Sequence, residues 1–211
     1  MTALELMKLS PVIPVIVIDD IKHAVPLANA LVKGGIRVLE ITMRTPVALE
    51  AISLINKEVE GAIVGAGTVT DAKKLESALK AGSQFIISPG LTTQLAEAAK
   101  SIPISFIPGA MTPSDVMRAM EYELSELKFF PAQSAGGISM LKSLAGPFPG
   151  IRFCPTGGIT STTASEFLAL PNVVCVGGTW LTPQQAIAEE NWNAITQLAH
   201  QANFLSRSQV Q

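Results

Sequence analysis

The chain has 211 residues, of which 48% are hydrophobic and 15% charged, and its formal net charge is -2. This composition excludes a disordered or highly solvated chain and is sufficient for one sizeable core. The near-neutral balance offers no basic field to nucleic acid or to an anionic membrane, so any phosphate must be held by local donors, and small-molecule partners are favoured.

Residues 1–10 read as a short extra helix at the amino-terminal side. They carry Glu5 and Lys8 and lack the form of a secretory signal, so a cytoplasmic location is expected. The apolar stretch Pro11 to Ile18 is too short to span a bilayer and stops at Asp19-Asp20. From there on, short β-branched or apolar runs alternate with amphipathic stretches. Eight such runs are expected as strands: Val12 to Ile18, Arg37 to Met43, Ala62 to Gly67, Gln84 to Ser88, Ile104 to Ile107, Leu127 to Phe130, Ile151 to Cys154 and Val173 to Val176. Helical patterns fall between them at His23 to Lys33, Pro46 to Glu58, Asp71 to Ala81, Thr92 to Lys100, Pro113 to Glu121, Ser139 to Leu144 and Thr162 to Leu168. Asp71, Thr92, Thr112 and Ser161 stand where N-caps belong.

Strict alternation of strand and helix argues for a parallel sheet, and the number of units favours closure into a (β/α)8 TIM barrel, an α/β fold. An open doubly wound sheet would need a glycine-rich turn after the first strand, and Ile18-Asp19-Asp20-Ile21-Lys22 has none. No linker or low-complexity tract divides the chain, so one domain is expected over 1–211. Its last stretch, Asn203 to Gln211, has lost the apolar period and is expected to fray. Cys154 and Cys175 lie in apolar runs and read as reduced core thiols, while His23 and His200 lie far apart, so neither a disulfide nor a metal site is expected.

In a barrel the chemistry belongs at the carboxyl-terminal ends of the strands. Along Val38 to Arg44, the period of two puts Glu40, Thr42 and Arg44 on one face and Leu39, Ile41 and Met43 on the other. The apolar set suits a helical layer, so the polar set is expected to point inward. Lys128 sits in the apolar run Leu127 to Pro131, where a buried ammonium without a partner is costly and a free amine is a nucleophile toward a ketone. Small residues and hydroxyls end several runs, as in Gly65-Ala66-Gly67-Thr68 and Ile87-Ser88-Pro89-Gly90. Gly157-Gly158 and Gly177-Gly178 follow the seventh and eighth runs, where barrels of this type hold phosphate on backbone N–H groups.

Five stretches carry a closer likeness. Arg37 to Thr45, Val64 to Val69, Ile87 to Gly90, Lys128 to Ala132 and Arg152 to Ile159 resemble the 2-keto-3-deoxy-6-phosphogluconate (KDPG) aldolases, and the likeness runs from about residue 11 to residue 200. It implies a class I aldolase that splits KDPG into pyruvate and glyceraldehyde 3-phosphate, with cleavage of 4-hydroxy-2-oxoglutarate and trimer formation known among similar enzymes. The resemblance implies Lys128 as the Schiff-base lysine and Glu40 as the general acid and base. It assigns Arg44 and Thr68 to the pyruvate carboxylate, Pro89 and Phe130 to the pyruvate pocket, and Thr156 to the substrate hydroxyls. Gly157, Gly158, Gly178 and Thr179 correspond to the phosphate site, with Thr179 in place of an expected serine. No cofactor is implied. Two rival readings keep the barrel without the imine: a phosphosugar isomerase or decarboxylase, and a non-catalytic barrel that binds a phosphorylated metabolite.

Overall fold

A computed structural model describes residues 1–205 of the chain. The strands are β1 (Val12–Ile16), β2 (Val38–Thr42), β3 (Ile63–Gly67), β4 (Phe85–Ile87), β5 (Ser105–Ile107), β6 (Gly109–Ala110), β7 (Glu126–Phe129), β8 (Arg152–Pro155) and β9 (Val176–Gly178). The helices are α1 (Ala3–Lys8), α2 (Ala24–Lys33), α3 (Ala48–Glu58), α4 (Ala72–Lys80), α5 (Thr93–Ala99), α6 (Pro113–Glu121), α7 (Gly137–Ala145), α8 (Ala164–Leu168), α9 (Gln184–Ala188) and α10 (Trp192–Asn203). All strand pairs are parallel. They form a six-stranded sheet in the order β5-β4-β3-β2-β1-β9 and a three-stranded sheet β6-β7-β8.

The fifth expected run is β5, and beyond it the chain adds a short strand that was not expected, β6, set off by Pro108, which has no N–H to give to a ladder. The eighth run is displaced toward its carboxyl end. Val173 makes only an isolated bridge to Phe153, and the regular strand begins at Val176. One consequence corrects the sequence reading: Gly177 and Gly178 lie within β9 and do not form a turn after it. Gly157 and Gly158 do form a turn, with φ of 106° and 76° that side-chain-bearing residues rarely adopt.

Side chains divide between two layers as the period of two requires. Leu39 and Ile41 join Leu127, Phe129 and the helix residues Ala51 and Ile52 in the outer core. On the inner face Ile13, Val38, Phe85, Ile87, Ile107, Cys154, Val174 and Cys175 form a second apolar cluster, and Leu6 and Met7 of α1 pack into it from below. The short first helix is therefore a plug for the amino-terminal end of the strands. Its own start is held by a reciprocal bond pair, Glu5 N–H to Thr2 Oγ1 at 3.1 Å and Thr2 N–H to Glu5 Oε2 at 2.8 Å. Cys154 and Cys175 are buried thiols.

Three of the expected caps are in place: Asp71, Thr92 and Thr112 each accept a bond from the third helical N–H. Ser161 does not cap α8, which begins later, after Thr163. Thr160 and Thr163 instead bond each other across that turn. Asn203, expected in a frayed tail, is the last residue of α10, and 206–211 lie outside the described residues.

Asp115 completes the cap of α6. Burial pushes its carboxyl up, but bonds from the N–H groups of Thr112 and Met111 and from the Thr112 hydroxyl outweigh this and hold it below its ordinary value of 3.8. A carboxyl lowered on folding stabilises above the unfolded value and ceases to do so as pH falls through the folded one. In urea unfolding at neutral pH, Asp115→Ala is expected to lose about 1 kcal/mol. The gap between the two proteins should close on acidification below 3.8; a gap that persists in acid would show that the carboxylate is not its source.

Candidate active site

Above the apolar plug the inner face turns polar. β2 carries Glu40 inward, paired in register with Val15 of β1 and Gly65 of β3, and β7 carries Lys128 inward between Gly109 and Cys154. The two side chains meet across the interior, Lys128 Nζ donating to Glu40 Oε1 at 3.0 Å, with only 7% and 2% of their surfaces exposed. The lysine, for which burial without a partner would be costly, is thus paired with a carboxylate. Such a pair is not chosen for stability alone, since stripping two charges of water costs about as much as their attraction returns.

Around this pair the strand ends bring the other groups together. Phe130 follows Lys128 out of β7, and its ring centroid is 5.5 Å from Nζ. Thr156, buried at the end of β8, bridges to Gly177 of β9 and bonds through its hydroxyl to the Cys154 carbonyl at 3.3 Å. From the loop after β2, Arg44 donates through Nε to Thr68 Oγ1 at 3.2 Å, which leaves the two terminal guanidinium nitrogens of the fork for another partner. Thr42 and Thr45 tether the same loop, donating to the carbonyls of Ile16 and Ile18 at 2.8 and 2.6 Å.

A cavity of about 260 Å³ opens beside these groups, and Arg44, Phe130, Thr156, Gly157, Gly158, Gly178 and Thr179 all line it. Gly177, expected with Gly178 near a phosphate, also lines it; Val15 and Ile159 complete the lining and were not anticipated, although the inward period of β1 passes through Val15. Glu40, Thr68, Lys128 and Pro89 are not among the lining residues; the backbone of Pro89 packs against Gly109, the register partner of Lys128. Gly157 and Gly158 line the cavity at a positive-φ turn, and none of the lining residues is acidic, which suits an anion.

Comparison with known proteins then decides the family. The family model for KDPG and KHG aldolases matches residues 4–198. The chain belongs to the KDPG and KHG aldolase family. The matched span takes in every site residue from Glu40 to Thr179. Among curated relatives, the 2-dehydro-3-deoxy-phosphogluconate aldolase of Pseudoalteromonas atlantica is 53% identical over 192 residues, covering 91% of this chain and 89% of that one. Solved structures of the family superpose closely. The Legionella pneumophila KDPG aldolase, with pyruvate captured at low pH as a covalent carbinolamine intermediate, is 46% identical with a TM-score of 0.93, covering 95% of this chain and 97% of that one. The Zymomonas mobilis enzyme with 3-phosphoglycerate is 48% identical with a TM-score of 0.92, covering 98% and 97%. The α/β architecture of curled parallel strands is that of these aldolases.

The energetic character of the ion pair is testable apart from activity. Lys128→Met leaves the Glu40 carboxylate buried and alone and is expected to cost about 3–5 kcal/mol. The double variant Lys128→Met/Glu40→Leu removes both charges and should recover most of that loss in urea unfolding. Equal destabilisation of the single and double variants would mean that the loss comes from packing rather than from an unpaired charge.

Proposed function

We propose that this protein is a class I aldolase that cleaves KDPG to pyruvate and glyceraldehyde 3-phosphate, and also 4-hydroxy-2-oxoglutarate to pyruvate and glyoxylate. The observation that carries this reading is the pairing of one amine and one carboxylate, both buried, at 3.0 Å beside a cavity lined by Arg44 and by Gly157, Gly158, Gly177 and Gly178. Each group has a part that its chemistry suits.

Transfer of a proton from Lys128 to Glu40 along the existing hydrogen bond leaves a neutral amine, whose lone pair attacks the C2 carbonyl of a 2-oxo acid. Glu40 returns the proton to the departing hydroxyl, the carbinolamine loses water, and an iminium forms. Cleavage of the C3–C4 bond sends its electron pair into that iminium and yields an enamine. The C4 hydroxyl proton passes to Glu40, through a water, as the aldehyde leaves. Glu40 then protonates C3, and hydrolysis releases pyruvate and the free lysine. Arg44, steadied by Thr68, holds the substrate carboxylate with its unused nitrogens in a forked contact. Phe130 and Pro89 border the pyruvate unit, and Thr156 stands beside the substrate hydroxyls. Gly157, Gly158, Gly178 and Thr179 hold the phosphate, and the hydroxyl of Thr179 serves where serine was expected. No step calls on a cofactor or a metal ion.

The same reading takes the strands as one closed eight-stranded barrel in a single domain. Its support is that β5 and β6 are separated by Pro108 alone, and that the bridges Phe153 to Val173 and Thr156 to Gly177 join β8 to the last strand. It further places the protein in the cytoplasm as a homotrimer. Among the described residues no helix is long and apolar enough to cross a membrane. Met117 and Met120 of α6 and the nearby Met111 are large exposed apolar side chains, as a subunit interface requires.

Incubation with pyruvate followed by borohydride should add the mass of a reduced pyruvate imine to the Lys128 peptide. Bound pyruvate with no adduct would move the non-covalent barrel readings to the front. Lys128→Ala is expected to abolish turnover, and Arg44→Ala to raise KM for both substrates with a smaller effect on kcat. Light scattering on the eluting protein should give the mass of three chains, and Met117→Lys/Met120→Lys should shift it downward; a single-chain mass for the parent would remove the trimer.

A further inference from the structure

Three glycines on the inner face leave room that a neighbouring strand uses. A Cβ built on Gly67 of β3 would overlap the Glu40 side chain, 2.6 Å from its Cγ and 2.8 Å from its Cδ, with Oε1 closer still. One on Gly177 of β9 would meet Thr156, 2.9 Å from Cγ2 and 3.0 Å from Cβ. One on Gly109 would meet the backbone of Pro89 and lie 2.6 Å from the N of Gly90. Glu40 and Thr156 each rest over a glycine of the next strand in the chain, and Pro89, after β4, rests over a glycine of β6 in the other sheet.

The first case reaches furthest. Gly67 is buried and carries no positive φ, so its backbone conformation does not demand glycine. It pairs in register with Thr42, two residues beyond Glu40, and so lies where a side chain leaning along β2 comes to rest. The carboxylate is then held between Lys128 Nζ on one side and a bare backbone on the other. We infer that Gly67 is the positioning residue of Glu40, and that its missing side chain sets where the carboxylate stands relative to Lys128 and to the carbon it must protonate. The conflict falls on the Glu40 side chain from Cγ outward and on no backbone atom, so an added methyl moves the carboxylate and leaves the strand.

This inference rests on the aldolase reading, and one partial reaction separates the two. In the pyruvate iminium a methyl C–H bond breaks, its electron pair enters the enamine as the iminium is neutralised, and the proton goes to Glu40. In heavy water a deuteron returns, and loss of the methyl proton signal follows the rate. Gly67→Ala is expected to slow this exchange about 10²-fold, the scale of an ångström-sized misplacement, while Lys128 still yields a borohydride-trapped pyruvate imine. In a Glu40→Ala background the methyl has nothing to displace, so Gly67→Ala should change neither the residual exchange nor the unfolding midpoint.

Exchange in Gly67→Ala within a few-fold of the parent would overturn the inference, as would an equal loss in the Glu40→Ala background. Should Gly67→Ala fail to fold, a folded Glu40→Ala/Gly67→Ala protein supports the same contact, and failure of both to fold overturns it. Absence of any trapped imine in the unsubstituted protein would instead remove the aldolase reading beneath it.

Discussion

Everything at the carboxyl-terminal end of the strands is arranged around one buried ion pair, Lys128 with Glu40. Neither charge reaches solvent to any extent, so each depends on the other for the free energy lost on leaving water. That dependence makes a reactive pair. An ammonium and a carboxylate in contact can exchange a proton without ordering anything new, and the product is a nucleophilic amine beside a carboxylic acid that can return the proton. The pair joins β2 of the six-stranded sheet to β7 of the three-stranded one, so the two ends of the proposed chemistry are fixed by strands and do not wait for a loop to close.

Placement on strands alone would not suffice, because the space enclosed by curled parallel strands has little room for polar side chains. The chain solves this by layers. At the amino-terminal end the space is filled with Ile13, Val38, Phe85, Ile107 and the plug residues Leu6 and Met7, a packed apolar floor. One layer above, the filling residues are removed: Gly65, Gly67, Gly109 and Gly177 stand where Val or Ile would pack elsewhere. Gly65 accommodates the ring of Phe85 in the floor, while the other three accommodate parts of the site. The transition from core to site is thus a change from large to absent side chains along the same strands.

This layering explains what could be read in the sequence. The alternation in β2 was legible because Glu40, Thr42 and Arg44 differ in kind from Leu39 and Ile41, and the split between inner face and helical layer follows from the period alone. Lys128 was legible for the same reason, a charge inside an apolar run. What it meets was not, since Glu40 lies 88 positions away in the chain and only the fold joins them. The glycines misled. Gly177-Gly178 looks in sequence like Gly157-Gly158, yet the first pair is strand and the second a positive-φ turn. A glycine required by a neighbour's bulk and one required by its own dihedral angle carry the same letter, and the neighbour across a parallel ladder is remote in sequence.

Thr68 marks where the chain departs from its own conformational preference. It follows β3 with φ of 60°, a left-handed conformation that costs a β-branched residue on the order of 1–3 kcal/mol. Glycine would adopt that angle without strain, and this stretch is otherwise made of small residues, so the threonine is there for something glycine lacks. What it supplies is the hydroxyl that accepts from Arg44 Nε at 3.2 Å. Arg44 is exposed and emerges from a loop tethered to β1 by Thr42 and Thr45. Without the Thr68 contact its long side chain would sample many rotamers and lose more entropy on meeting a ligand. Strain in one backbone angle is accepted so that the guanidinium, which lines the cavity, is held in advance of a ligand.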